Sequence, residues 1–166
     1  MRVLGIDPGF ATTGYGIVER LDGRLRPVVL GVIRTSPSLD HAHRLVELRS
    51  AIAALIAEHS PQAFAIERVF FNANVRTAIA VGQASGVVME AAASTGLEVT
   101  TYTPTEVKQA VAGVGNAPKS QVQAMVAALL GLATAPEPAD AADACALAVC
   151  HLNRSGLARA LARSRR

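Results

Sequence analysis

The sequence predicts an α/β protein, a mixed five-stranded sheet covered by helices, and three observations carry that prediction. Three strand-like segments with short connections open the chain. Alternating helical and extended patterns follow them. Two of the extended segments, residues 2–6 and 63–66, are apolar on both faces, as strands sandwiched between two helix layers are.

Residues 2–6 read as a central strand, ended by the turn Asp7-Pro8-Gly9. Residues 15–20 and 25–33 alternate as strands do, and Asp22-Gly23 between them is a hairpin signal, so the opening is a meander. Leu45, Leu48, Ile52, Leu55 and Ile56 recur at helical spacing, and Ser60-Pro61 closes that helix. A strand over 63–66, a helix over 75–94 and a strand over 97–102 come next. Pro104 starts a short helix to residue 112, a loop spans 113–118, and a helix covers 120–130. Pro136 and Pro138 mark a linker, and the last helix runs over 139–153. The helix over 75–94 is nearly apolar all round, with Arg76, Gln83 and Glu90 as a narrow wet stripe. Such a helix is buried on more than one side, either within the monomer or at a homodimer interface. Gly82-x-x-x-Gly86 on it suits the close approach of another backbone.

The chain of 166 residues is one domain long, large enough for a proper core. A hydrophobic content of 51% against 17% charged residues excludes a disordered chain. With few aromatics and no Trp, that core is aliphatic and built of small residues. Residues 1–150 carry 11 Lys/Arg and 13 Asp/Glu, a balance of −2, whereas residues 151–166 carry five Arg and no acid. The pI near 9.3 therefore describes a tail. We expect a folded domain over 1–153 and a basic, disordered C-terminal tail over 154–166, either a solvated terminus or a phosphate-binding arm. No apolar run reaches the ~18 residues of a membrane span. The N-terminus opens as a strand without the sections of a signal peptide, so the expected location is cytoplasmic. Cys145 and Cys150 lie on one helix pointing in different directions, which makes them small buried hydrophobes rather than a disulfide.

Two apolar runs end abruptly in an acid, at Asp7 and at Glu67, and a third acidic element, Asp140-Ala-Ala-Asp143, opens the last helix. Each alone has an ordinary structural reading: a turn, a solvated strand end, acids at a helix start. Together they point to a site. If the first and fourth strands are parallel neighbours, Asp7 and Glu67 share the carboxyl-end edge where open α/β sheets place their chemistry. Asp140 and Asp143 share one helical face. At an effective dielectric of about 20, each pair of carboxylates some 5 Å apart repels by roughly 3 kcal/mol. Divalent cations neutralise such a cluster, and oxygen-only ligands select Mg²⁺ or Mn²⁺ over zinc. That pattern suggests two-metal phosphodiester chemistry.

Other residues surround this idea. Residues 113–120 nearly spell a P-loop, but Pro118 replaces the glycine before Lys119, removing a donor and fixing φ. Nucleotide binding is rejected there, while Lys119 at a helix start remains a candidate phosphate contact. Lys108 is the only other lysine. Phe70 and Phe71 are either loop anchors or a wedge that stacks on bases, and Arg76 lies within reach of a backbone phosphate. His41-x-His43 reads as surface. An actin-like ATPase would need a second, duplicated domain, for which the chain is too short.

These residues resemble the RuvC family of Holliday-junction resolvases, within the retroviral-integrase and RNase H superfamily. The similar stretches are LGIDPG with TGYGIV at 4–18, FAIERVF at 64–70, GQASGV at 82–87, VKQAVAGVGNAPKSQVQAMV at 107–126 and ADAADACALAV at 139–149. The resemblance implies an RNase H-like fold. It also implies an Mg²⁺-dependent endonuclease with two ions per subunit, for which Mn²⁺ substitutes. The expected enzyme is a homodimer that nicks four-way DNA junctions symmetrically in recombination and repair, with RuvA- and RuvB-type partners. It makes Asp7, Glu67, Asp140 and Asp143 the catalytic acids and metal ligands. Phe70 matches a base-stacking aromatic, and Lys108 and Lys119 match DNA-facing cations. Where relatives often carry a cation after Phe70, this chain reads Asn72-Ala73-Asn74, leaving Arg76 as the nearest positive charge.

Overall fold

The computed structural model describes residues 1–68 and 75–164, with side chains to residue 156. Phe70 and Phe71 lie outside the described residues. Among those described, the order is β1 (Arg2–Asp7), β2 (Thr12–Leu21), β3 (Arg24–Arg34), α1 (His41–His59), β4 (Ala63–Glu67), α2 (Val75–Ala93), β5 (Val99–Tyr102), α3 (Pro104–Ala112), α4 (Lys119–Leu130) and α5 (Ala139–Ser164). The sheet order is β3-β2-β1-β4-β5. The meander β1-β2-β3 is antiparallel, whereas β4 lies parallel to both β1 and β5. Asp22 and Gly23 take φ values of 50° and 78°, the two positive angles that a two-residue hairpin turn needs.

The period of two along each strand divides the core. Leu4, Ile6, Ile17, Phe64 and Ile66 face one side and pack against Leu48, Ile52 and Ile56 of α1 and Ala84, Val88 and Ala91 of α2. Val3, Val18, Ala63 and Ala65 face the other and meet α3, α4 and α5. The result is three layers, with α5 running beneath the centre of the sheet.

How close α5 lies is set by glycine. Gly5 pairs with Gly16 across β1 and β2, and Gly14 pairs with Asp7. A β-carbon on Gly5 would overlap the Ala144 carbonyl oxygen, and one on Gly16 would stand 2.6 Å from Cys145 Sγ and 3.0 Å from its backbone nitrogen. On α5, Ala141, Ala142, Ala144, Cys145, Ala146 and Ala148 are all fully buried. Small residues on both sides bring helix and sheet backbones together, which is what the alanine-rich composition serves. Burial pushes the thiols of Cys145 and Cys150 up to about 12, so both are inert hydrophobes, as expected.

One element differs from expectation, and a second departs from one of the two readings left open for it. The last helix continues to Ser164, well past residue 153. Arg154, the first residue of the expected tail, pairs with Glu106 at 3.1 Å and lies 5.6 Å from the Tyr102 ring centre. Leucine, alanine and arginine dominate that stretch, and all are strong helix formers. Helix α2 is not enclosed on all sides within the monomer. Val75 and Ile79 are 67% and 54% exposed, and nothing stands within 4 Å of where a β-carbon would sit on Gly82 or Gly86.

Candidate active site

The parallel pairing of β1 with β4 puts Ile6 beside Ile66, so Asp7 and Glu67, each the last residue of its strand, emerge side by side on one rim. The third side comes from the glycine-lined approach of α5. A β-carbon on Gly14 would overlap the Asp140 carbonyl and stand 3.1 Å from Asp140 Cβ. That contact brings the first turn of α5 against the rim, with Asp140 and Asp143 on the face turned to Asp7. One ligand oxygen each from Asp7, Asp140 and Asp143 falls within 4.8 Å of the others. Glu67 stands beside this trio and lines a cavity of 280 Å³ together with Asp7, Asp143, Lys108 and Lys119.

The electrostatics record the crowding. Asp7 is pushed up from 3.8 to about 7, first by burial and then by the charges of Glu67, Asp143 and Asp140, with Lys119 working the other way. Glu67 is raised by burial and by Asp143, against Lys119 and Lys108. Lys119 opens α4, and its ammonium donates to Asp143 Oδ2 at 2.6 Å. This hydrogen bond is the largest reason that its own proton is held more tightly than usual.

The donor set fits a hard divalent ion. Oxygen ligands about 2.1 Å from Mg²⁺ are at most about 4.2 Å apart, so three oxygens within 4.8 Å close on an ion with small side-chain rotations. The trio contains no sulfur or imidazole, as magnesium or manganese prefers. Asp7, Asp140 and Asp143 could hold the ion, and Glu67 is placed to extend the shell.

Other expected site residues are distributed differently. Lys108, on α3, shares the acidic cavity. Arg76 does not: it is exposed at the start of α2 and lines a separate groove with Phe10, His41 and Gln83. His41 is exposed as expected, yet it is held in place, its ring 4.3 Å from that of Phe10 and its Nε2 2.7 Å from Gln83 Oε1. The residues that sequence reasoning passed over are Gly5, Gly14 and Gly16. The signal was present, since glycines alternating on β2 opposite a third on β1 mark one face of a sheet that a backbone must approach.

The fold is RNase H-like, and its acidic rim with two lysines is suited to phosphodiester chemistry. Residues 3–151 match the family model described as crossover junction endodeoxyribonuclease RuvC. A protein of that description from Moorella thermoacetica is 56% identical over 151 residues, covering 91% of this chain and 90% of the relative. The solved structure of Thermus thermophilus RuvC superposes with a TM-score of 0.87 at 36% identity, covering 95% of this chain and 97% of that one. A structure of T. thermophilus RuvC in complex with Holliday junction substrate matches with a TM-score of 0.86 at 34% identity, covering 95% and 96%. The chain belongs to the RuvC family of crossover junction endodeoxyribonucleases. It is therefore a DNA-cleaving hydrolase.

Proposed function

We propose that this protein resolves Holliday junctions, cutting two strands of a four-way DNA junction symmetrically during homologous recombination and repair. The observation that carries the reading is the meeting of Asp7, Asp140 and Asp143 on one rim, beside Glu67, in a chain of this family. The four acids are the catalytic and metal-binding groups. Two Mg²⁺ ions per subunit, or Mn²⁺ in their place, would supply an activated attacking water and a stabilised leaving oxygen when bound.

The chain's own residues do the rest. Asp7 must lose its proton to serve as a ligand, and burial among acids opposes that loss in the ion-free site. The acids orient the reacting phosphate's surroundings from rigid strand ends and a helix turn, so little reorganisation is needed at the moment of reaction. Lys108 and Lys119, at the mouth of the same cavity, bind and orient the DNA phosphates. Phe70 stacks on a base near the crossover, in keeping with the family resemblance. Arg76, outside the acidic cavity, contacts backbone phosphate farther along the strand.

Paired nicks across a two-fold junction need two active sites related by a two-fold axis, so the working form is a homodimer. The open stripe of Val75, Ile79, Gly82 and Gly86 on α2 supports that face as the seam. RuvA- and RuvB-type branch-migration proteins are its partners, and the cytoplasm is its compartment. Among the described residues no helix is long and apolar enough to cross a membrane.

The deciding experiment compares Asp7→Asn with the native chain on a symmetric mobile junction in Mg²⁺. Nicking is abolished and junction binding stays largely intact, because a metal ligand is lost and no DNA contact is. Substantial residual cleavage would falsify the assignment. A linear duplex and an RNA hybrid in the same assay are expected to remain uncut.

A further inference from the structure

Lys119 places a positive charge against the acid cluster. Its ammonium lies 2.6 Å from Asp143 Oδ2, and Asp143 belongs to the trio whose ligand oxygens fall within 4.8 Å of one another. One carboxylate of the candidate metal site is thus already paired. An ion about 2.1 Å from that carboxylate would stand close beside the ammonium, and two cations at such a separation repel. The lysine is free to leave. Its side chain is 59% exposed against 29% for Asp143, and it springs from the first residue of α4, reaching across to α5. Lys108 offers an internal comparison, since it lines the same cavity while, among the described residues, only Lys119 forms an ion pair with a member of the trio.

We propose that Lys119 is a built-in counter-ion, occupying Asp143 in the DNA-free protein and competing there with the divalent ion. Lys119 is then a positioning residue as well as a phosphate contact: it holds the acid cluster together until an ion displaces it. This rests on the metal-nuclease reading above. The pair spans two separate helices, so the lysine also ties the first turn of α4 to the N-terminal part of α5 until the ion takes over that role. Loading the site therefore costs the breaking of an ion pair, and removing the lysine makes loading easier while leaving the empty protein less stable.

The test is Mn²⁺ binding to the full chain without DNA, followed by the loss of the free-ion paramagnetic resonance signal. Lys119→Met is expected to tighten Mn²⁺ binding about fivefold, the upper end of the scale of a partly exposed ion pair. Lys108→Met changes it by less than about twofold, and Lys119→Arg stays near the native value. Lys119→Gln supplies the same comparison should the methionine variant not fold. In chelator the Lys119→Met protein melts below the native chain, and saturating Mn²⁺ closes the gap. Unchanged or weaker Mn²⁺ binding in Lys119→Met and Lys119→Gln overturns the proposal. So does an equal gain in Lys108→Met, which would reflect a general field rather than the pair. If the native chain and Lys119→Met both bind no Mn²⁺ that Asp7→Asn abolishes, the metal reading itself falls instead.

Discussion

Gly14→Ala is the sharpest probe of how the site is assembled. The added methyl would overlap the Asp140 carbonyl and come within 3.1 Å of Asp140 Cβ, so backbone must move, because no flexible side-chain end is available to yield. Ordinary carbon–oxygen contact needs a separation of about 3.3 Å, and relief therefore shifts the first turn of α5 by on the order of 1 Å. Overpacking of this kind costs about 1–3 kcal/mol, which for a domain of this size lowers Tm by roughly 2–4 °C per kcal/mol. The effect on chemistry is larger. A misplacement of about 1 Å costs on the order of 100-fold in rate, because Asp140 and Asp143 move together away from Asp7. Junction cleavage and thermal unfolding of the same preparation are the assays. Native-like cleavage by a folded Gly14→Ala protein would refute the argument that close approach at this glycine sets the acid geometry.

The remaining predictions use other parts of the molecule. Asp7's carboxyl is raised from 3.8 to about 7, so the folded state binds a proton that the unfolded state releases, and ion-free stability falls as pH rises between those values. Asp7→Asn removes that loss, worth at most about 4 kcal/mol; it melts higher than the native chain in chelator at pH 8 and gains little at pH 4. An equal gain at both pH values would contradict the assignment. Ile79→Asp on the open face of α2 gives a monomer by sedimentation and uncouples the paired nicks; a stable dimer would move the seam elsewhere. Deleting residues 157–166, which spares the Arg154–Glu106 pair, flattens the salt dependence of junction binding if the four arginines removed touch phosphate, and an unchanged slope returns them to solvent.

Local chemistry was legible from residues alone wherever a short stretch decides its own conformation. The Asp-Gly hairpin, the helix that starts at Pro104, and the doubly apolar strands of residues 2–6 and 63–66 all stand where pattern placed them. The acids at Asp7 and Glu67 were visible because a charge ending a buried strand is conspicuous. Their adjacency depended on β4 pairing parallel to β1, a choice made across the sheet, and the sequence could state it only as a condition. Helix α2 shows the limit of periodicity: an almost wholly apolar helix reads as buried, within the monomer or against a partner, and only the packed chain shows which stripe is left open.

By itself, the sequence determined which side chains are available: four acids, two lysines, small residues in α5 and glycines on β1 and β2. Tertiary structure decided that three of those acids close to within 4.8 Å, that Lys119 reaches across to pair with Asp143 while staying largely exposed, and that Arg76 stands apart. The physical reason is the range of the forces involved. Turn and strand preferences act over a few neighbouring residues. The gap between α5 and the sheet is set by backbone contact at Gly5, Gly14 and Gly16, more than a hundred positions away from the helix they receive.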